Sequence, residues 1–402
     1  MKLLFLTDNF PPEVNAPANR TYEHCREWVR SGVDVTVITC APNFPKGKVY
    51  EGYKNKLYQT EIIDGIKVIR VWSYITANEG FVKRILDYIS FAVASFIAGL
   101  FVKTDLIVAT SPQFFTALSG WLLSIFKRKK WIFEVRDLWP ESIMAVGAMK
   151  RNRAIRFFEW LEIRMYKSAD YIVVVTDAFK KKIIAKGIDA GKISVFKNGA
   201  NLELFIPQPK DVELESSLGL KNKFVFAYIG THGMAHGLSF ILAAIKPLET
   251  SHPDLVFLFI GDGAEKKSLL KQAENLNLKN AVFVDSIGKK EIVSYLSLMD
   301  AALVNLIKSD TFLTVIPSKI FEAAAMEKPI LLGLQGETQG IIQKYNAGVC
   351  YEPENENDFY RAIEEIIQPE IYSQTKVGSR SLVQDFDRSK IANEMLECLQ
   401  EV

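Results

Sequence analysis

FVFAYIGTHGMAHGL, residues 224–238, decides the fold. Six apolar or aromatic residues run without a polar break and stop at Gly230, which reads as a strand buried on both faces. Gly230, Gly233 and Gly237 then let the backbone bend and come close to a ligand, and a helical pattern follows. The unit repeats with LVFLFIGDG, AVFVDS, AALVNLI and KPILLG, each followed by a helical stretch. Strands of this kind separated by helices make a doubly wound parallel sheet.

The first half has the same grammar. KLLFLTD, GVDVTVITC, IKVIRVW, DLIVATS, KWIFEVRD and YIVVVT read as strands, and a helix is expected from about Arg20 to Ser31. The turn before IKVIRVW is Asp64-Gly65. Near residues 200–205 the pattern breaks into Asn-Gly, prolines and charge, which marks a hinge with a linker to about 222. The expected fold is therefore α/β, two doubly wound Rossmann-like domains facing across a cleft. The first spans 1–203, with a terminal helix of about 387–402 packing back on it, and the second spans 204–386. Ligands of such sheets bind beyond the carboxyl ends of the strands.

Length and composition agree with two ordinary globular domains. The chain has 402 residues, 49% hydrophobic and 24% charged, with a formal charge of +2. Nothing in that balance points to nucleic acid. Cys25, Cys40, Cys350 and Cys398 have no CxxC spacing, and the histidines form no HExxH motif, so neither a metal nor a disulfide framework is expected. The opening MKLLFLTDNF reads as a first strand and not as a signal peptide. Ile85 to Val102 approaches the length of a membrane span but contains Asp87, and is read as a buried or interfacial helix.

The strand ends carry the candidate chemistry. No GxGxxG follows the first strand, which argues against a dehydrogenase. Asn15, Ala16 and Pro17 stand in its loop. Arg136 and Asp137 follow FEV; they are either an internal ion pair or a pair aimed at a substrate. His232 and His236 lie in one glycine-rich loop with Thr231. Gly261 and Gly263 flank Asp262 after the next strand. Ser318 is placed to cap the helix of PSKIFEAAAMEKPIL, residues 317–331, and its amides with the Lys319 ammonium make an anion site. Glu322 is one residue too late for a capping box. It is either a solvated glutamate or a carboxylate set against a bound sugar.

Taken together, YIG with its loop, FKNGAN, GDGAEKKSLL and PSKIFEAAAMEKPIL resemble the GT-B glycosyltransferases, specifically the retaining family 4, over nearly the whole chain. FEVRDLWPES and THGMAHGL resemble a bacterial subgroup of O-antigen and capsule assembly that includes N-acetyl-L-fucosaminyltransferase-like enzymes. The resemblance implies a nucleoside-diphosphate sugar donor, UDP-linked, and a polyprenyl-diphosphate-linked acceptor at the inner face of the cell membrane. It implies retention by same-face attack, with no metal or other cofactor. Glu322 matches the second glutamate of the family's pair and would contact the ribose, while Thr314 stands at the first. Thr231 and His236 stand where the family has Arg and Lys. Donor contacts are thus expected from Asn15, Ala16, Gly230, Thr231, His232, Gly233, His236, Gly261, Gly263, Thr314, Ser318, Lys319 and Glu322. Asp137, Arg136 and Glu322 are the expected catalytic group. Lys83, Arg84, the KRKK run 127–130 and Arg151, Arg153, Arg156, Trp160 and Arg164 suit an anionic membrane surface or are solvated helix faces. The rival readings are a nucleotide-sugar 2-epimerase, a non-catalytic nucleotide-sugar-binding protein and, last, an oxidoreductase.

Overall fold

The computed structural model describes residues 1–44, 46–76, 81–141, 152–288 and 291–402; Arg151 lies outside them. The chain divides into two compact units. One is Met1–Lys197 with Arg388–Val402, and the other is Asn198–Asp387.

The first unit is built on an eight-stranded sheet in the order β3-β4-β2-β1-β5-β6-β7-β8. Its strands are β1 (Lys2–Leu6), β2 (Asp34–Cys40), β3 (Tyr58–Ile63), β4 (Ile66–Val71), β5 (Leu106–Thr110), β6 (Lys130–Val135), β7 (Tyr171–Val174) and β8 (Ile193–Val195). All neighbours pair in parallel except β3 with β4. That hairpin turns on Asp64 and Gly65, both at positive φ (47° and 82°), the two-residue turn that matches strand twist. The sequence reading missed β3 because its alternating half-exposed pattern is that of an edge strand, not a buried run.

The helix expected from Arg20 begins at Ala16 and runs to Arg30. Asn15 supplies the start, its side chain accepting from Ala18 N at 2.8 Å, and Pro17 sits in the first turn, where its missing N–H costs nothing. The inner face of this helix is buried. Trp28 is fully buried and donates from Nε1 to Ala392 O at 2.8 Å, which holds the last helix, Arg388–Glu401, against it. Arg388 pairs with buried Glu23 at the same contact.

Arg20 is one of the buried charges of the unit. It is 2% exposed and bonds Glu134 Oε1 at 3.0 Å through Nε. Its other nitrogens donate to Lys197 O at 3.1 Å and Phe196 O at 3.0 Å. A guanidinium with all its forks occupied tolerates burial that an unpaired one would not.

The second unit holds a six-stranded, wholly parallel sheet in the order β11-β10-β9-β12-β13-β14. These are β9 (Phe224–Ile229), β10 (Leu255–Ile260), β11 (Ala281–Val284), β12 (Ala301–Asn305), β13 (Ile330–Gly333) and the short β14 (Gly348–Cys350). Strand order reverses between β9 and β12, as it does between β1 and β5 in the first unit. The boundary falls at Lys197/Asn198, not near 203, because Ala200 N donates to Phe386 O at 3.0 Å and Ala200 and Phe205 join the second core. The expected linker is folded as well: Lys210 Nζ bonds Asp300 at 2.8 Å, and Asp211 caps the helix Val212–Ser217. Among the described residues no helix is long and apolar enough to cross a membrane.

Arg20→Met leaves Glu134 buried without its partner and should lower unfolding stability by about 3 kcal/mol. Urea denaturation followed by tryptophan fluorescence measures it.

Candidate functional site

The carboxyl ends of β9, β10 and β12 meet at the switch point of the second sheet. Tyr228, the penultimate residue of β9, is fully buried and organises this edge. Its hydroxyl donates to Thr231 O at 2.6 Å, which bends the chain just past Gly230. Lys319 places its Nζ 3.9 Å from the centre of the Tyr228 ring, a close cation–π contact. The rings of His232 and His236 flank the same tyrosine at 5.8 and 5.7 Å.

These nitrogen-bearing groups are short of partners. His232 is fully buried, and neither of its ring nitrogens has a hydrogen-bond partner; His236 Nδ1 has none either. Burial, then Lys266 and Lys319, pushes His232 down to about 4, and burial with Lys319 does the same to His236. Both rings are neutral at pH 7. Burial also pulls Lys319 down to about 7, against the pull of Glu322. A cluster whose positive charge is weakened by desolvation regains that charge most readily beside an anion.

Two glycines are present for packing. A Cβ on Gly261 would lie 1.9 Å from Gly230 O, and one on Gly263 would lie 2.4 Å from His232 O. The loop after β10 therefore lies directly on the loop after β9. Hydrogen bonds from Gly230 N to Ile260 O and from His232 N to Asp262 O, each 2.9 Å, fasten them. Buried Lys266 clasps the arrangement from behind, donating to Gly261 O at 2.9 Å and Val284 O at 2.8 Å. Gly233 leads into the turn Met234–His236, and Gly237 closes it at φ 58°.

Sequence reasoning missed Asn305, the last residue of β12. Its Nδ2 donates to His236 O at 2.8 Å, and its Oδ1 accepts from Tyr351 OH at 2.7 Å. The available signal was an amide ending an otherwise apolar strand.

The helix Lys319–Ala325 carries Lys319 and Glu322. Both line one small cavity with Ala227, Ile229, Met299 and Ala323. Ser318 does not cap this helix as expected. Its backbone is already helical (φ −59°, ψ −27°), and its side chain makes no capping bond. Its carbonyl instead receives Phe321 N and Glu322 N. The helix has seven residues, so the anion-attracting charge here is chiefly the Lys319 ammonium. Thr314 ends the turn Asp310–Thr314, with its hydroxyl on Thr311 O at 3.3 Å.

In the first unit, Arg136 and Asp137 follow β6. Their amides both reach Ser111 Oγ, at 2.7 and 3.0 Å. Arg136 is half-buried; burial pulls it down to about 10, while Glu134 and Asp8 hold its charge in place. Asn15 and Ala16, expected to meet the donor, start the first helix, and Asn15 also donates to Asn9 Oδ1 at 2.7 Å.

Residues 15–199 match the family described as glycosyl transferase 4-like domain, and residues 210–380 match glycosyl transferases group 1. An Escherichia coli protein named as a colanic acid biosynthesis glycosyl transferase, WcaI, is 26% identical over 88% of this chain and 89% of its own. The UDP-Gal:alpha-D-GlcNAc-diphosphoundecaprenol alpha-1,3-galactosyltransferase of Escherichia coli is 33% identical over 35% of this chain and 38% of its own. HepE from Anabaena, solved in complex with UDP-glucose, superposes with a TM-score of 0.72 at 17% identity, covering 100% of both chains.

Gly261→Ala should force the two loops apart and displace His232 and Gly230 together. A loss of about 2 kcal/mol or more is expected, because backbone and not a mobile side chain blocks the new methyl. Thermal unfolding of the variant reads it directly.

Proposed function

We propose, from the premise that the chain belongs to the GT-B glycosyltransferases, that it moves a sugar from a UDP-linked donor to a lipid-linked acceptor in surface-polysaccharide assembly, with retention. An N-acetylated sugar, N-acetyl-L-fucosamine among them, is the donor sugar of this reading. One observation carries it: Lys319 is held over Tyr228 at the switch point, beside the neutral rings of His232 and His236, and Glu322 follows one turn later.

A nucleoside diphosphate answers that arrangement. Its phosphates supply the missing negative charge next to Lys319, and its ribose hydroxyls supply donors for Glu322. The difficult part of sugar transfer is charge on the departing diphosphate. Positive groups fixed before the reaction lower that barrier without reorganising. In this reading Lys319 neutralises the leaving group, the departing phosphate oxygen takes the acceptor proton on the same face, and Asp137 orients the acceptor. Gly230 allows the approach, since a Cβ there would lie 3.0 Å from Lys319 Nζ.

The lipid side of the reading is supported by the helix Phe81–Leu100 and its neighbour Phe114–Lys127. Val93, Ile97, Phe101, Ile125 and Phe126 are all more than half exposed there, and Phe96 packs edge-on against Phe126 at 5.4 Å. Exposed Lys103, Arg128 and Lys129 border this apolar face. Phe157 and Trp160 on the helix Arg153–Ser168 are also about half exposed, with Arg164 stacked on Trp160. Apolar side chains beside cations suit an anionic bilayer surface. The lipid-diphosphate acceptor in the galactosyltransferase's name is the parallel from a relative.

UDP should raise the melting temperature of the protein, and Glu322→Ala should abolish most of that shift while leaving the ligand-free transition in place. The pH dependence has a definite sign. Lys319 titrates near 7 when the site is empty and higher beside a diphosphate, so binding takes up a proton above pH 7. UDP affinity should be greatest below pH 7 and fall by up to about tenfold per pH unit above it, which calorimetry in buffers of different ionisation enthalpy measures. An unchanged melting curve with UDP at every pH sinks the reading. Co-sedimentation with vesicles should depend on anionic lipid and weaken in Phe101→Ser/Phe126→Ser; equal recovery with neutral vesicles speaks against the lipid surface.

A further inference from the structure

The outermost strand of the first sheet is left open in a way the other sheet edges are not. β3 has six residues, while the other outer strands, β8, β11 and β14, have three, four and three. Folded proteins blunt a long free edge with Lys, Pro, a bulge or a cover. β3 reads YQTEII, with neither Lys nor Pro. It pairs with β4 residue for residue, from Tyr58 opposite Val71 to Ile63 opposite Ile66, without a bulge. Apolar side chains also stand out from it: Leu57, just before the strand, is 82% exposed, Tyr58 54% and Ile62 69%. A hydrophobic edge of this length is a template for another strand.

The backbone fixes which residues face that strand. Trp72 N donates to Leu57 O at 3.4 Å, so in the same register Gln59, Glu61 and Ile63 turn their peptide groups toward β4. Tyr58, Thr60 and Ile62 turn theirs outward. A two-fold axis across the edge brings the strand antiparallel against its own copy. Outward residues must then meet outward residues, so the axis passes through a residue and not between two. Placed on Glu61, it sets that carboxylate against itself and Tyr58 against Asp64; placed on Gln59, it sets Lys56 against Ile62. Placed on Thr60, it satisfies every position. Tyr58 meets Ile62, Leu57 meets Ile63, the Gln59 amide meets the Glu61 carboxylate, and Thr60 meets itself. Lys56, exposed, comes to the end where Asp64 of the second copy stands, fixed there by Tyr22 OH donating to its Oδ2 at 2.5 Å. Aromatic with β-branched, Thr with Thr and opposite charges are the favourable cross-strand pairs.

We propose that β3 pairs antiparallel with β3 of a second copy of this chain, on a two-fold axis through Thr60. The two eight-stranded sheets then run on as one. The contact is isologous and closed: each copy's free edge is used by the other, so assembly stops at two. Leu57 is covered on one face of the junction, and Tyr58 and Ile62 on the other. This pairing is independent of the glycosyl-transfer reading.

The test is sedimentation velocity of the full chain over about two decades of concentration. Wild type should pass from monomer to dimer as concentration rises. Thr60→Pro removes an outward N–H and leaves the bonds to β4, and Ile62→Lys puts a charge on the edge without touching the core. Each should weaken dimerisation about tenfold or more while keeping the wild-type melting temperature. The position of the axis is read by copper-catalysed oxidation of two cysteine variants. Thr60→Cys should form a covalent dimer, because facing residues of such a pair have Cα atoms about 5.5 Å apart, within disulfide reach. Ile62→Cys should not, since it lies four residues along the strand from its own copy, about 13 Å away. A wild type that stays monomeric at every concentration, as it would if a different protein covers this edge, overturns the proposal. So does dimerisation of Thr60→Pro and Ile62→Lys equal to that of wild type, or cross-linking of Ile62→Cys as readily as Thr60→Cys.

Discussion

Two peptide backbones lie almost in contact at the carboxyl edge of the second sheet, and the site there depends on that approach. Gly261 against the Gly230 carbonyl and Gly263 against the His232 carbonyl leave no room for a side chain. Because the loops cannot separate without breaking these contacts, His232 has no freedom to find water or a partner for its ring. Lys266 holds the loop after β10 through two carbonyls, so the clasp is polar on one side and steric on the other. Close packing thus creates the unsatisfied nitrogens that make the edge receptive to an anion.

Desolvation acts at the edges of both sheets, with opposite signs. In the second unit it weakens cationic groups: Lys319 is drawn down to about 7 and both loop histidines to about 4. In the first it weakens carboxylates: Glu13 and Asp87 are drawn up to about 7.

Most of the fold was legible in the sequence because buried parallel strands write continuous apolar runs. The central strands β1, β2, β5, β6, β9, β10 and β12 all have that form. The missed pieces are those that burial does not mark: β3 is a half-exposed edge, and β8 and β14 have three residues each. In the site, Lys319, Gly230, His232 and His236 do come together around Tyr228, as the loop's composition suggested. Ser318 does not cap, because capping depends on a local backbone angle that the residue type alone does not determine. Asn15 caps the first helix and Ala16 opens it, a role the sequence reading did not assign to either. Asn305 went unassigned because its significance lies in its long-range partners, His236 O and Tyr351 OH.

The last helix gives the chain an unusual order of assembly. Arg388–Glu401 completes the first unit by covering Trp28, yet the whole second unit lies in sequence between it and the residues it covers. The second unit is therefore an insertion, continuous in sequence and able to close on its own segment as soon as it is synthesised. The first unit waits: its Trp28 face has no cover until Arg388–Glu401 has been made. Until then that apolar surface is open to other contacts, so the unit made first is the one finished last.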